Sequence, residues 1–342
     1  MRSAQVTIND IAGQLGISPS TVSRALKDHP EISQTTKKAV LELAEKLNYE
    51  PNAIALSLRS SKSNIIGVII PEFIHHFFSK VISGIEDVAY DAGYNVMVCQ
   101  SNESYQREVK NVHALLHSRI EGLLVSVSKE TKDFNHFTNL KKKNIPIVFF
   151  DRTVPELDTD KVIVTDYEGA YSAVKHMIDI GCRRIAHMAT SEDLEIGRNR
   201  FNGYLQALKD HELPVDERLI VRCDNHKAAR LVTKRLIYEI HPPDGIFAVN
   251  DLTAIGALQT AKENNIKVPD QLAIVGFSNG IYSTMTDPPL TTVEQFGYQM
   301  GQKAARLLLD RLFTRADYPS RTEVIPTELI IRETTVKKKS YV

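Results

Sequence analysis

Cysteine is scarce in this chain of 342 residues, which contains only Cys99, Cys182 and Cys223. The three are odd in number, widely separated and without the short spacings of metal ligands, which argues against a disulfide framework and against a zinc site. We therefore expect free thiols that act as small apolar residues in a reducing compartment, and no bound metal.

Long apolar segments are also missing. The run from Ile65 to Ile70 is interrupted by Gly67 and is far too short to cross a bilayer of roughly 30 Å. After Arg2 the N-terminus continues as polar, periodic sequence without the apolar segment of a secretory signal. These absences exclude a membrane partner and predict a cytoplasmic location.

The chain has no net charge, since 42 Lys and Arg residues balance 42 Asp and Glu residues. Such a balance argues against a surface that binds nucleic acid nonspecifically through positive potential. The distribution is slightly uneven, with eight basic and six acidic side chains in residues 1–62. At 42% apolar composition, the chain is long enough for two or three soluble units with their own cores.

The first fifty residues predict three short helices. Thr7 and Asp10 resemble a capping box at the start of the first helix, and Gly16 can take the left-handed conformation that ends it. Ser18 and Pro19 then supply an N-cap and a first-turn proline for the second helix. The apolar stripe of the first helix consists of Ile8, Ile11, Ala12 and Leu15.

The second helix starts directly after a tight turn and leaves Ser20, Thr21 and Arg24 on its outer side, where a helix can enter a major groove. A third helix, capped by Ser33 and running to about Leu47, closes the small core. Many three-helix units bind protein or nothing, so the pattern alone leaves DNA binding open.

The same segment resembles the headpiece of the lactose/galactose repressor family without a gap. The matching motifs are Thr-Ile-Asn-Asp-Ile-Ala at 7–12, Gly-Ile-Ser at 16–18, Thr-Val-Ser-Arg-Ala-Leu at 21–26 and Asn-Tyr-Glu-Pro-Asn-Ala at 48–53. The resemblance implies that Pro19, Ser20 and Arg24 read bases. It implies DNA-backbone contacts for Thr21 and Ser23, and the predicted DNA-binding set also includes Thr7 and Ser18.

Base discrimination in this headpiece depends on few groups, because Pro19 offers no donor. Arg24 can bind guanine O6 and N7 in a bidentate contact worth about 1–3 kcal/mol of discrimination, and Ser20 can donate or accept. Arg24 is therefore the predicted direct reader of the operator.

A hinge is predicted between the headpiece and the rest of the chain. Asn52 can cap a short helix, Ala53 to Arg59, that is too short to form in isolation and should fold only on DNA. The resemblance implies that this hinge, including Ala55, pairs with its dimer mate in the minor groove. It also implies that Leu58 wedges between central base steps and kinks the duplex. Ordinary packing of an exposed linker leucine is the alternative.

From Ile65 onward, short apolar runs alternate with amphipathic helical patterns, as in parallel sheets built from βαβ units. Two batches of such runs predict two doubly wound lobes, with late strands near 291–293 and 324–331 returning between them. The runs are Ile65–Ile70, Tyr94–Val98, Gly122–Val127, Pro146–Phe150, Val162–Val164, Arg184–Met188, Leu219–Arg222, Gly245–Val249 and Leu272–Phe277.

The predicted fold is thus an all-α helix-turn-helix headpiece followed by an α/β, periplasmic-binding-protein-like core of two doubly wound parallel-sheet lobes. The predicted boundaries are headpiece 1–50, hinge and linker 51–62, and core 63–342. Within the core, lobe 1 takes about 63–163 and 293–323, and lobe 2 about 164–290 and 324–336. Ligands of such sheets bind beyond the carboxyl ends of the strands, so a cleft between the lobes is expected.

The core resembles the same repressor family over nearly its whole length, through motifs such as Phe-Asp-Arg at 150–152 and Asn-Asp at 250–251. The resemblance implies an effector pocket in which Phe77 or Phe78 stacks on an apolar ring face. Asp151 and Asn250 are expected to bond hydroxyls, although either can simply cap a turn. Arg200 is expected to clamp an oxygen or an anionic group, although a plain ion pair is the alternative.

One position departs from sugar-responsive relatives, which often carry an aspartate where this chain has Ser278. A hydroxyl cannot replace a bidentate carboxylate, so a sugar, a sugar phosphate, a nucleobase or another anion all stay admissible as effector. Ser278 completes the predicted effector-binding set.

The enzymatic motifs that the sequence offers are incomplete. Residues 276–280 fit the G-x-S-x-G pattern around Ser278, but a hydrolase of that type places its histidine later in sequence, and all eleven histidines precede Ser278. His113 and His117 have helical zinc-ligand spacing without a third ligand, so a solvated or interface face is expected. No phosphate-binding or dinucleotide-binding motif is present, and we expect no catalysis and no cofactor.

These observations predict a homodimeric, sequence-specific transcriptional regulator that acts as a repressor. Two headpieces are expected to bind a near-palindromic double-stranded operator under the control of a small-molecule effector. The alternative is a small-molecule receptor without a transcriptional role. Residues 1–62 discriminate between the two, because a receptor has no need of a helix-turn-helix.

The wedge assignment is tested by replacing Leu58 with alanine in the full chain. If Leu58 unstacks the central base step, the variant should bind operator DNA with a much smaller bend, because the apolar wedge is lost. The bend is measured by circular-permutation gel shift. A bend equal to that of the wild type contradicts the assignment.

Overall fold

The computed structural model describes residues 6–49, 63–314 and 319–336. The chain divides into two compact units, Met1–Ser63 and Asn64–Val342. The predicted hinge residues Asn52, Ala55 and Leu58 lie outside the described residues. Their roles in DNA binding stay predictions.

The first unit contains three helices, α1 (Ile8–Leu15), α2 (Pro19–Ala25) and α3 (Gln34–Lys46). Each helix contributes apolar residues to one small core. The side chains at its centre have no exposed surface and come from all three helices: Ile11, Val22 and Val40.

The ends of these helices are set by local capping, as predicted. The Thr7 backbone N–H donates to Asp10 Oδ2 at 2.7 Å, and Gly16 takes the left-handed φ of 62° that ends α1. Ser18 Oγ accepts from the Thr21 N–H at 3.1 Å at the start of α2. These short-range bonds satisfy backbone donors that a helix start leaves free.

The first lobe of the second unit is built on a parallel sheet of β1 (Ile65–Ile70), β2 (Asn95–Gln100), β3 (Gly122–Val125), β4 (Ile147–Phe150), β5 (Asp160–Val164) and β11 (Thr322–Ile325). The strand order is β11-β5-β4-β3-β1-β2. One hydrophobic cluster lies on each face of this sheet, which explains why its central strands are apolar throughout. The helices are α4 (His76–Asp91), α5 (Tyr105–His117), α6 (Asn135–Lys142) and α12 (Gly297–Thr314).

The second lobe has a sheet of β6 (Ile185–Ala189), β7 (Ile220–Arg222), β8 (Gly245–Ala248), β9 (Ala273–Ser278), β10 (Thr291–Glu294) and β12 (Glu328–Ile330). Its order is β12-β10-β9-β8-β6-β7. Two further clusters fill the spaces between this sheet and its helices. These helices are α7 (Asp166–Asp179), α8 (Glu195–Asp210), α9 (His226–Ile237), α10 (Asp251–Glu263) and α11 (Tyr282–Met285).

The lobe boundaries predicted from the sequence need correction. We expected lobe 1 to resume at residue 293 and lobe 2 at residue 324. Instead β10 (291–294) pairs with β9 in the second sheet, and β11 (322–325) pairs with β5 in the first. The edge strand β12 also runs antiparallel to β10, so the second sheet is not wholly parallel. Backbone pairing with distant strands decides these assignments, and the local sequence does not encode it.

Helices α4 and α12 pack at unusually short range in the first lobe. A Cβ atom added at Gly301 would overlap the Val81 carbonyl oxygen, and one added at Gly84 would overlap the Tyr298 carbonyl oxygen. Glycine therefore permits the two backbones to touch, which anchors α12 to the lobe after the chain has crossed back from the second sheet.

Two absences predicted from the sequence can be compared with this structure. Among the described residues, no helix combines the length and apolarity that a membrane crossing requires. Cys99, Cys182 and Cys223 form no disulfide with one another in the described part of the chain, and the last two are buried.

A buried histidine lies in the core of the second lobe. The His187 ring stacks on Phe247, Tyr204 and Phe201, and its Nδ1 lies 3.1 Å from the Phe247 carbonyl oxygen. Burial lowers the pKa of His187 to about 4 from 6.5, because the apolar surroundings disfavour the imidazolium. The neutral His187 ring therefore contributes to the free energy of unfolding above pH 6.5, and this contribution is lost as the pH falls through about 4.

Replacing His187 with phenylalanine should flatten the acid limb of the stability profile. Between pH 6.5 and 4 the wild type should lose unfolding free energy faster than the variant, by at most about 1.4 kcal/mol per pH unit. Urea unfolding followed by circular dichroism measures the difference, and exposed His113→Gln serves as control. Parallel profiles for wild type and His187→Phe would show that His187 stays protonated in the native state.

Candidate DNA-reading surface and effector cleft

The outer side of α2 presents the residues predicted to contact DNA. Ser18, Pro19, Ser20 and Arg24 are exposed. The Ser18 hydroxyl lies 2.7 Å from that of Ser20 and 2.8 Å from that of Thr21, so the start of α2 carries a group of linked hydroxyls. The structure thus places the predicted base readers on one accessible face.

Arg24, the predicted direct reader, pairs with an acidic neighbour within the headpiece. Its Nη1 lies 3.2 Å from Glu31 Oε2, and both side chains are more than half exposed. Exposed pairs of this kind contribute at most about 1 kcal/mol, so DNA can readily compete for the guanidinium. Thr7 is exposed at the start of α1, and Ser23 is half-buried.

A buried lysine that we did not predict supports the turn after α2. Lys37 Nζ donates to Asp28 Oδ1 at 2.6 Å and to the Asp28 carbonyl oxygen at 3.2 Å. Asp28 has a positive φ of 53°, so the lysine fixes a residue in an uncommon conformation. This contact positions α3 against α2 and does not itself present a group to DNA.

In the second unit, one cleft lies between the two lobes and encloses about 490 Å³, including its open mouth. All six residues predicted to bind effector line it. Half of the lining residues lie within two positions after the end of a strand, where parallel sheets place their ligands. The wall consists of His75, Phe77, Phe78, Lys129, Asp151, Arg152, Thr190, Ile196, Arg200, Asp224, Val249, Asn250, Ser278 and Gln295.

Arg200 is buried and held on three sides. Its Nε donates to Asp166 Oδ1 at 2.8 Å, its Nη1 donates to the Val249 carbonyl oxygen at 2.6 Å, and its guanidinium lies 3.8 Å over the Phe277 ring. Burial raises the pKa of Asp166 to about 6, although Arg200 opposes the shift. Arg200 thus forms an ion pair with Asp166, and its Nη2 has no protein partner among the described residues. Its contact with an effector stays a prediction.

Asp151 and Asn250 differ in the role their side chains already play. Asn250 caps α10, since its Oδ1 accepts from the Thr253 N–H at 2.9 Å and its Nδ2 donates to the Asp224 carbonyl oxygen at 2.8 Å. Asp151 caps nothing; it is buried and accepts from Ser126 Oγ at 3.3 Å. Burial raises the pKa of Asp151, against the opposing charges of Arg152 and Arg200.

Ser278 lies at the back of the cleft in a strained conformation, with φ of 117°. Its Oγ donates to Gln295 Oε1 at 2.7 Å. Gln295 is buried, and its Nε2 has no hydrogen-bond partner among the described residues. The serine hydroxyl therefore bonds the side-chain amide of Gln295.

The apolar part of the cleft comes from the start of α4. The rings of Phe77 and Phe78 are buried and meet edge to face, with centroids 5.2 Å apart. Such a wall suits the apolar face of a ring-shaped ligand.

Several polar lining residues were missed from the sequence, although a signal was available. Lys129 follows β3 and Asp224 follows β7, in the same way that Asp151 follows β4. The rule that loops after strands line the cleft thus applies to them. It could not show that they face each other, because Lys129 belongs to one lobe and Asp224 to the other.

A helix-turn-helix unit followed by a two-lobed core with a polar cleft defines a class, that of DNA-binding regulators which respond to small molecules. Comparison with known proteins agrees with this class. Residues 7–52 match the family described as bacterial regulatory proteins, lacI family, and residues 174–335 match a periplasmic binding protein-like domain.

Relatives match nearly the whole chain. It is 35% identical over 331 residues to the ribose operon repressor of Halalkalibacterium halodurans, covering 96% of this chain and 97% of that protein. It is 32% identical to catabolite control protein A of Priestia megaterium, covering 96% and 99%. The chain therefore belongs to the lacI family of bacterial regulatory proteins.

Solved structures show the same architecture. The chain is similar to the lac repressor dimer bound to operator and the anti-inducer ONPF, with a TM-score of 0.84, 25% identity and coverage of 98% of this chain and 100% of that one. A lacI-family regulator from Enterococcus faecium with bound ribose gives a TM-score of 0.70, 26% identity and coverage of 79% and 98%. The protein is a DNA-binding transcriptional regulator and not an enzyme, as predicted.

Arg24→Ala should lower affinity for DNA selected from a random pool far more than affinity for unselected DNA. Loss of a bidentate guanine contact costs about 1–3 kcal/mol, or roughly 5-fold to 150-fold in discrimination. Gel shift on both DNAs measures the ratio. The control Lys27→Ala removes the same charge from an exposed site and should leave the ratio unchanged; an unaltered ratio in Arg24→Ala rejects the readout assignment.

Proposed function

We propose that the cleft between the lobes is the effector site through which this regulator controls its affinity for DNA. The observation that carries the proposal is the meeting of side chains from both lobes in one cleft. Phe78 and Asp151 belong to the first lobe, and Arg200 and Asn250 belong to the second. A ligand that contacts both sets stabilises one relative position of the lobes over another.

In this proposal each predicted residue has a distinct role. The Phe77 and Phe78 rings pack on an apolar ring face of the effector, and Asp151 accepts from hydroxyls. Arg200 donates through Nη2, since its other nitrogens are engaged within the protein. Asn250 and Ser278 act mainly by shape and by their remaining hydrogen-bonding capacity, because each already bonds a protein neighbour.

The names of relatives support a sugar as effector. One relative is a ribose operon repressor, and a similar structure contains bound ribose. Another similar structure is a regulator in complex with cellobiose. A nucleobase stays among the candidates, because the sequence leaves it open.

The protein is proposed to act as a cytoplasmic homodimer on a near-palindromic operator, with Thr7, Ser18, Pro19, Ser20, Thr21, Ser23 and Arg24 at the DNA. The dimer form is that of the similar lac repressor–operator structure. Exposed apolar side chains near the cleft supply a surface on which a second copy can pack. They lie in two segments joined by the Ile281 N–H to His76 Nδ1 hydrogen bond: Phe73, Ile74, Ile281, Tyr282 and Met285.

In this proposal the angle between the two lobes controls the affinity for DNA. An effector that prefers one lobe angle changes how the hinges are presented, and coupling energies of this kind are typically about 1–3 kcal/mol. An inducer and a corepressor differ only in which state each prefers.

The effector site is tested by a thermal-shift screen of the purified full chain against sugars, sugar phosphates, nucleobases and organic acids. A ligand of the native state raises the unfolding temperature, since it binds the folded protein alone. The shift should vanish in Arg200→Ala and shrink strongly in Asp151→Asn, which keeps the side-chain volume.

The matched control is Arg198→Ala, which removes an exposed arginine two residues away on the same helix. It should keep the full ligand-induced shift. A shift that survives in both Arg200→Ala and Asp151→Asn places the ligand outside this cleft and rejects the proposal.

A further inference from the structure

A row of alternating charges crosses the cleft from one lobe to the other. Arg152 Nη1 donates to both carboxylate oxygens of Glu103, at 2.8 and 3.0 Å, and Arg152 Nε lies 3.9 Å from Asp151. Lys129 Nζ lies 3.7 Å from Glu103 and 2.6 Å from Asp224 Oδ2. Asp224 belongs to the second lobe, so the Lys129–Asp224 pair is the point at which the row spans the cleft.

The position of Lys129 is fixed by buried contacts in its own lobe. The carboxylate of Glu108 has no exposed surface and accepts from the backbone N–H and the hydroxyl of Ser128, at 2.8 and 2.9 Å. The Lys129 N–H donates to Glu103 Oε2 at 2.9 Å. Hydrogen bonds therefore hold the backbone at both Ser128 and Lys129. The loop fixed in this way places the Lys129 ammonium group in the cleft.

Glu103 is likewise held in place at a conformational cost. Asn102 and Glu103 are consecutive residues with positive φ, 54° and 58°, in the loop after β2. Left-handed conformations of such residues are unfavourable, and they persist where the surroundings demand them. Here the strained turn brings a carboxylate between two cations.

Asp224, on the opposite wall of the cleft, is also held by two partners. It accepts from Thr190 Oγ1 at 2.7 Å as well as from Lys129. Burial alone raises the pKa of Asp224, but Lys129 and Thr190 outweigh it, so the pKa is lowered. The carboxylate therefore stays ionised and bonded to Lys129.

The charged side chains that line the cleft are therefore paired with one another or with protein neighbours. The three cations of the wall, Lys129, Arg152 and Arg200, face four carboxylates to which they are bonded or close: Asp151, Glu103, Asp224 and Asp166. A phosphate or carboxylate ligand at Lys129 would compete with Asp224 for the ammonium group. Separating the pair would leave a partly buried carboxylate without its cation, next to a second negative charge.

We infer that Lys129, through its pair with Asp224, is a specificity-determining residue that makes the cleft reject negatively charged effectors and admit neutral molecules rich in hydroxyl groups. Hydroxyls can donate to Asp151 and accept from Arg200 without breaking the pair. The inference rests on the proposed effector role of the cleft, and it removes sugar phosphates from the classes that the sequence left open.

The test uses the full chain and two probes, inorganic phosphate and D-ribose 5-phosphate, in titration calorimetry at fixed ionic strength. The wild type should show no saturable binding of either probe. Asp224→Asn keeps the side-chain shape and removes the carboxylate bonded to Lys129. It should therefore bind phosphate saturably, at least about tenfold more tightly than the detection limit of the wild-type titration, a difference of about 1.4 kcal/mol.

Two further variants identify the cause. Lys129→Gln with Asp224→Asn should lose the gained affinity, because the freed ammonium is gone. Asp179→Asn breaks an exposed lysine–aspartate pair of the same 2.6 Å length, between Lys175 and Asp179, and should behave as the wild type. If Asp224→Asn does not fold by circular dichroism, Asp224→Ser replaces it.

Three outcomes overturn the inference: saturable phosphate binding by the wild type, no gain in the Asp224 variant, or a gain that persists without Lys129. Each concerns only the charge of the cleft. The proposed function fails separately, when a ligand-induced thermal shift survives Arg200→Ala and Asp151→Asn.

Discussion

The common direction of neighbouring strands is the constraint on which this structure depends. All strands but β12 run parallel within their sheets, so the loops at their carboxyl ends collect along one edge of each lobe. Asp151 follows β4 on one side, and Asn250 and Ser278 follow or end strands on the other. Polar residues from distant parts of the chain meet in one cleft for this reason. The helices cover the apolar faces of the sheets, and α4 and α8 also contribute Phe77, Phe78 and Arg200 to the wall of the cleft.

Buried polar groups at this edge cost free energy unless they are bonded within the protein. Arg200 is satisfied by Asp166 and by a backbone carbonyl oxygen. Behind the cleft, burial raises the pKa of Asp251 to about 7, and the carboxyl accepts from the Gly280 N–H at 2.7 Å. The loop that carries Ser278 is thus tied to the first turn of α10, so the wall of the cleft is stiff before any ligand arrives.

Local sequence predicted the headpiece well, because caps at Thr7, Gly16 and Ser18 act over three or four residues. The strands of the core were also visible as apolar runs, and resemblance supplied six side chains that line one cleft. The lobe boundaries near residues 293 and 324 were misplaced, since they depend on pairing between strands far apart in sequence. The Lys129–Asp224 pair was missed for the same reason, as no local pattern shows which loops lie opposite each other.

The chain passes between the two sheets three times, after β5, between β10 and α12, and between β11 and β12. Neither lobe is therefore a continuous stretch of polypeptide, and each sheet receives one of its two edge strands, β11 or β12, only near the end of the described chain. On the ribosome, both sheets stay incomplete until residues 322–330 have emerged. A single recombination crossover therefore cannot exchange one whole lobe for that of a relative without also exchanging part of the other lobe.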